Sequence, residues 1–129
     1  MFEITTLYGL VVAVIWMILW FRVRNMRYAT KQSIGDGGNP DLLCRIRQHG
    51  NCVEWSTFLL ILMILAEGQN AHALWLHVSG VLLVLGRATH PFGLFADRSG
   101  TLMRYVGNGS NVAAAGLLIV CLAVTLVQV

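Results

Sequence analysis

The chain has 129 residues, of which 57% are hydrophobic and only 12% charged, with a net charge of +3. Soluble domains carry about 25% charged residues, so a water-soluble globule is excluded. Apolar runs recur from end to end, which excludes a soluble core on a single anchor, and no basic patch interleaved with aromatics supports nucleic-acid binding.

The first apolar run, Ile4 to Phe21, approaches the about 20 residues that a helix needs to cross roughly 30 Å of hydrocarbon. No positive segment precedes it and no small-residue cleavage site follows, so an uncleaved helix over 4–27 is expected rather than a signal peptide. A basic stretch with Arg22, Arg24, Arg27 and Lys31 follows, then the loop Gly35-Asp36-Gly37-Gly38. Asn39 suits an N-cap, Pro40 the first helical position and Asp41 the first turn.

Helix two is expected over 40–67, about 42 Å at 1.5 Å per residue, so Leu42 to Arg47 stands at or above the headgroups. Glu67-Gly68-Gln69-Asn70 is a tight turn that makes helices two and three an antiparallel hairpin. Helix three is expected over 71–90, ending before Pro91, with a loop from Phe92 to Met103. Helix four is expected over 104–127. Its opening turns, Gly107-Asn108-Gly109-Ser110-Asn111, are small and polar, Ala113-Ala114-Ala115-Gly116 follows, and small residues permit close packing in lipid. The fold class is an all-α integral membrane bundle of four transmembrane helices in one domain, 1–129, with no internal repeat.

All nine Lys and Arg residues lie in two segments: 22–47, between helices one and two, and 87–104, between three and four. The positive-inside bias puts both in the cytoplasm and both termini outside, in the inner membrane if the source is bacterial. Anionic headgroups suit this charge. Cys44, Cys52 and Cys121 form no CxxC pair, and the first two lie where thiols stay reduced.

The second and third apolar runs reach spanning length only with polar residues included, and those residues are where function is sought. Arg47, Asn51 and Glu54 are spaced i, i+4, i+7, on one face of helix two. Ionisable groups at that depth are expensive and face a bundle interior or a wet cavity. Arg87 and His90 close helix three, and Arg104 opens helix four, at the same cytoplasmic mouth.

Such a set suits a small ligand with carboxylates and an ammonium group. Arginine forks grip carboxylates, Glu54 takes the ammonium and Asn51 an amide. The plainer alternative is an Arg47–Glu54 pair, an interhelical bond from Asn51, and arginines snorkelling to phosphates. His49, His72 and His77 read as interfacial or packing residues. So do Cys52 and Trp16, Trp20, Trp55 and Trp75, while Tyr105 stands beside Arg104. Nothing resembles a metal site, a P-loop or a nucleophile triad.

Arg47-x-x-x-Asn51-x-x-Glu54, just inside the second of four helices, resembles the signature of the MAPEG family, the membrane-associated proteins in eicosanoid and glutathione metabolism. Gly86-Arg87-x-x-His90-x-x-Gly93 and Arg104-x-x-Gly107 resemble its small bacterial members, and the likeness covers essentially the whole chain. The resemblance implies a homotrimer that binds glutathione, as co-substrate, between neighbouring subunits.

Arg47, Asn51 and Glu54 match residues that hold the glutathione backbone, and Arg87 matches one near its carboxylates. Arg104 matches the arginine that stabilises the thiolate and is the catalytic candidate. His90 falls near a position where the eukaryotic eicosanoid enzymes carry Tyr, so their specific activities are not implied. His90 and Tyr105 complete the expected binding set.

A free thiol has a pKa of about 8.5, and neighbouring arginine charge favours the nucleophilic thiolate. The implied activity is that of the microsomal glutathione transferases, detoxifying hydrophobic electrophiles that arrive through the lipid, with reduction of hydroperoxides beside it. The alternative is a non-catalytic membrane protein that binds lipid headgroups or serves as a small subunit of a larger assembly. A small transporter is disfavoured, because four helices without an inverted repeat give little for alternating access.

Overall fold

A computed structural model describes residues 1–95, 97 and 100–127. Arg98, counted above with the second basic segment, lies outside them. The described residues form four helices: α1 (Glu3–Thr30), α2 (Pro40–Gly68), α3 (Ala73–Gly93) and α4 (Leu102–Val127). Three of them, α1, α2 and α4, are long and apolar enough to cross a membrane. The shorter α3 carries Arg87 and His90. The protein is an all-helical, membrane-embedded four-helix bundle.

The helix ends follow from where their orphan backbone groups find partners. α2 starts as its sequence dictates: the Asn39 side chain accepts hydrogen bonds from the N–H groups of Asp41 and Leu42, both at 3.0 Å, and Pro40 opens the helix. α1 has no side-chain cap of its own. Glu67, at the far end of α2, takes that role, accepting from the N–H groups of Ile4 (3.0 Å) and Thr5 (2.8 Å) and from the Thr5 hydroxyl (2.5 Å). α1 stops at Lys31, which has a left-handed φ of 52°.

α3 departs from expectation. It does not end before Pro91 but runs through it to Gly93. Pro91 withdraws the N–H that would bond the carbonyl four residues earlier, and the last carbonyls of any helix lack donors from within it. Here they are supplied from outside. The Gln48 amide on α2 donates to the carbonyls of Pro91 and Leu94, both at 2.9 Å, and the Thr101 hydroxyl donates to that of Gly93 at 2.6 Å. The expected Phe92–Met103 loop therefore loses residues at both ends. Phe92 and Gly93 belong to α3, while Leu102 and Met103 already belong to α4, which starts before Arg104.

α3 packs most extensively against α4, and α1 packs against α2 and α3 without touching α4. Val12, Leu59, Met63, Leu76, Leu83, Ala114 and Leu118 form the core. Large apolar side chains such as Leu10, Val14, Ile18, Ile119 and Val120 point outward, as a lipid-facing surface requires. The expected small-residue packing holds at Gly107, where an added Cβ would come within 2.8 Å of the His90 Cβ. It does not hold at Gly109 and Gly116, which face open space.

Candidate functional site

One face of α2 looks inward and the next looks out. Gln48, Cys52 and Ser56, four residues apart, are buried against α3 and α4, whereas Arg47 and Glu54 are exposed. The Arg47 guanidinium and the Glu54 carboxylate lie 3.9 Å apart, each side chain 59% exposed. A pair this open and this long contributes little to stability, so both groups are available to a ligand.

Asn51 sits between the two faces. Its side-chain oxygen accepts a 2.6 Å hydrogen bond from the Arg87 guanidinium, and the same nitrogen donates to the Asn51 carbonyl at 3.0 Å. Arg87 is 1% exposed. The sequence put it at an open mouth beside ligand carboxylates; it is instead a buried bolt from α3 to α2. Its Nε and its second terminal nitrogen have no hydrogen-bond partner. Burying a charge without full compensation is costly.

His90, also expected at the mouth, is buried beneath Gly107, its Nδ1 without a partner. It lies within electrostatic reach of both Arg87 and Arg104. Arg104 is half-buried at the α3–α4 corner, where its N–H bonds the Thr101 carbonyl at 3.1 Å and a side chain on Gly93 would collide with its backbone. Tyr105 is exposed, with its hydroxyl close to Gly100.

The fold thus joins Asn51 to Arg87 and Arg47 to Glu54. Among the described residues, no hydrogen bond or ion pair connects Arg104 or Tyr105 to Arg47, Asn51 or Glu54.

Sequence reasoning gave no role of their own to two buried amides. Gln48 ties α2 to the end of α3, helped by the Cys44 thiol, which donates to the Leu94 carbonyl at 2.9 Å. Extending the four-residue spacing from Cys44 through Gln48, Cys52 and Ser56 would have exposed this polar inner stripe. Asn111 is fully buried against Gly86, donates to the Gly107 carbonyl at 2.6 Å, and leaves its oxygen unpartnered. An amide opening an apolar run in a spanning helix was the signal. The histidines fall elsewhere: His72 caps α3 through Leu74 N–H, and His77 bonds the Tyr8 hydroxyl at 3.1 Å. Among the described residues, no cluster of His, Cys, Asp or Glu could hold a metal ion.

Comparison with known proteins gives this arrangement its setting. The inner membrane protein YecN of Escherichia coli strain K12 is 32% identical over 120 residues, covering 93% of this chain and 88% of that protein. YecN of a second Escherichia coli strain, CFT073, matches equally. No solved structure matches. The model of the MAPEG family matches residues 5–124, so the chain belongs to the MAPEG family of integral membrane proteins.

Proposed function

We propose that the protein is a membrane-bound glutathione transferase acting on hydrophobic electrophiles. One observation carries the reading: Asn51 is held by Arg87, while Arg47 and Glu54 on the same side of α2 remain exposed and only loosely paired. That leaves a cation, a carboxylate and an oriented amide free for one ligand. Glutathione is complementary to them, with two carboxylates, one ammonium and two amides. Family membership supports the choice.

In this reading the Arg47 fork takes a carboxylate, Glu54 takes the ammonium and Asn51 a peptide group. Arg104 stabilises the thiolate. The thiol proton leaves to solvent, the sulfur forms a bond to the electrophilic carbon, and the leaving group departs with its electron pair. Arg47 and Glu54 face away from their own bundle, so a second copy is needed to close the site, and a homotrimer supplies it. The basic end of the bundle, with the 31–39 and 94–101 connections, faces the cytoplasm.

The test is a glutathione titration of the detergent-solubilised protein at neutral pH, followed by thiolate ultraviolet absorbance. A saturable signal that disappears in Arg104→Ala is expected. Absence of any signal, with no displacement by glutathione analogues, overturns the reading.

A further inference from the structure

A cavity of about 660 Å³ opens between the last turns of α1 and the first half of α2. Its size falls within the about 300–1,000 Å³ of small-molecule pockets. Arg24, Arg27 and Lys31 line it together with the apolar Trp20 and Val23 of α1 and Ile46 of α2. No Asp or Glu lines it, so three cations share a hollow without a carboxylate in its wall.

The cations are differently placed. One nitrogen of Arg27 donates to the carbonyls of Gln32, Ser33 and Gly35, at 2.9–3.3 Å, and this fixes the loop that floors the cavity. Arg24 stands 4.9 Å from the Tyr28 ring centroid and 5.8 Å from that of Trp20. Two aromatic rings thus orient its guanidinium without an acid to neutralise it. Lys31 lies where the left-handed turn ends α1.

We propose that this cavity binds a phosphate ester carried on an apolar tail, namely the headgroup of an anionic phospholipid. Arg24 supplies a planar fork and Lys31 a point charge, the two usual ways of holding phosphate. Trp20, Val23 and Ile46 would cover the first methylenes of the tail. Depth agrees: these cations begin one turn beyond Phe21, where the apolar run of α1 ends, and basic residues at that level meet anionic headgroups. A small soluble phosphate ester would satisfy the cations but leave the apolar wall uncovered. The second cavity, about 410 Å³ at the other end of the bundle, has no Lys or Arg in its wall and offers no such site.

None of Arg47, Asn51 and Glu54 lines this cavity, so the proposal does not rest on the glutathione reading. The experiment is native mass spectrometry of the full-length protein in detergent with phosphatidylglycerol, phosphatidylcholine or soluble glycerol phosphate. The protein should retain phosphatidylglycerol saturably and phosphatidylcholine not at all. Retention should fall at least about tenfold in the Arg24→Gln/Lys31→Gln double variant, as expected for two basic residues at an anionic surface. That variant should keep its helical circular dichroism and its glutathione titration. Equal retention of phosphatidylglycerol by the variant, or of phosphatidylcholine by the native protein, overturns the proposal. Stronger binding of glycerol phosphate than of the lipid also overturns it, by assigning the site to a free ester.

Discussion

The two ends of the bundle solve the same problem in opposite ways. At the end that carries the termini, polar groups are closed on one another: Glu67 caps α1 with three hydrogen bonds, Thr125 bonds Gln69 at 2.8 Å, and Tyr8 bonds His77. At the loop end, Gln48, His49, Arg87 and His90 leave buried polar atoms without partners, and Arg47 and Glu54 face outward at 3.9 Å; deeper in the bundle Asn111 on α4 and Ser79 on α3 each leave one more. Buried unpartnered atoms are costly, and their concentration toward one end marks where structure yields to binding. The closed end sets register; under the proposed function the open end meets the ligand.

The largest effect that would break this contrast is at Arg87. Arg87→Met removes two charge-assisted bonds that fix Asn51, each worth about 1.5–3 kcal/mol. Glutathione affinity by calorimetry should fall about a hundredfold. Thermal stability should change much less, because the lost bonds are offset by removing an incompletely paired buried charge. A large drop in stability with affinity retained would make Arg87 structural and put the loop end on the same footing as the other.

The converse applies to Glu67. Glu67→Ala strips the cap from α1 and should cost about 2 kcal/mol of stability, at the upper end for N-cap losses, with glutathione binding unchanged. Chemical denaturation in micelles measures the first and titration the second. A loss of binding as large as the loss of stability would mean that the two ends are coupled.

How much of this contrast is legible in the sequence depends on the range of the interactions. The helix count, the Asn39–Pro40 start of α2 and the single-face spacing of Arg47, Asn51 and Glu54 are local, so periodicity and capping chemistry reveal them. The passage of α3 through Pro91 is not local: its carbonyls are satisfied by Gln48 and Thr101, 43 residues upstream of Pro91 in one case and 8 residues beyond Gly93 in the other. Arg87 shows the same limit. A snorkelling arginine and one bolted to Asn51 have the same sequence, and only the packing of α2 against α3 decides between them. Glu67 reads as a turn residue until α1 is laid beside it.

Gly107 sharpens the contrast on the α3–α4 seam. Gly107→Ala would push a methyl to 2.8 Å from the His90 Cβ and 2.9 Å from its Cα, where backbone has to move. Overpacking of this kind costs about 1–3 kcal/mol. Gly116→Ala, with nothing within 4 Å, should stay within about 0.5 kcal/mol. Equal melting temperatures for the two variants would show that the seam is looser than its contacts indicate.

The smallest stability effect belongs to the exposed Arg47–Glu54 pair, which makes it the most informative. Arg47 and Glu54 are each 59% exposed and 3.9 Å apart, so solvent screens most of their attraction. Arg47→Ala should change stability by less than about 0.5 kcal/mol. If the pair exists to meet a ligand, the same substitution should weaken glutathione binding about tenfold, the loss of one charge-assisted contact. Two opposite charges on the outer surface of α2 with almost no return in stability fit a binding role better than a structural one. An Arg47→Ala protein that melts lower but binds glutathione normally would turn the pair back into a structural one.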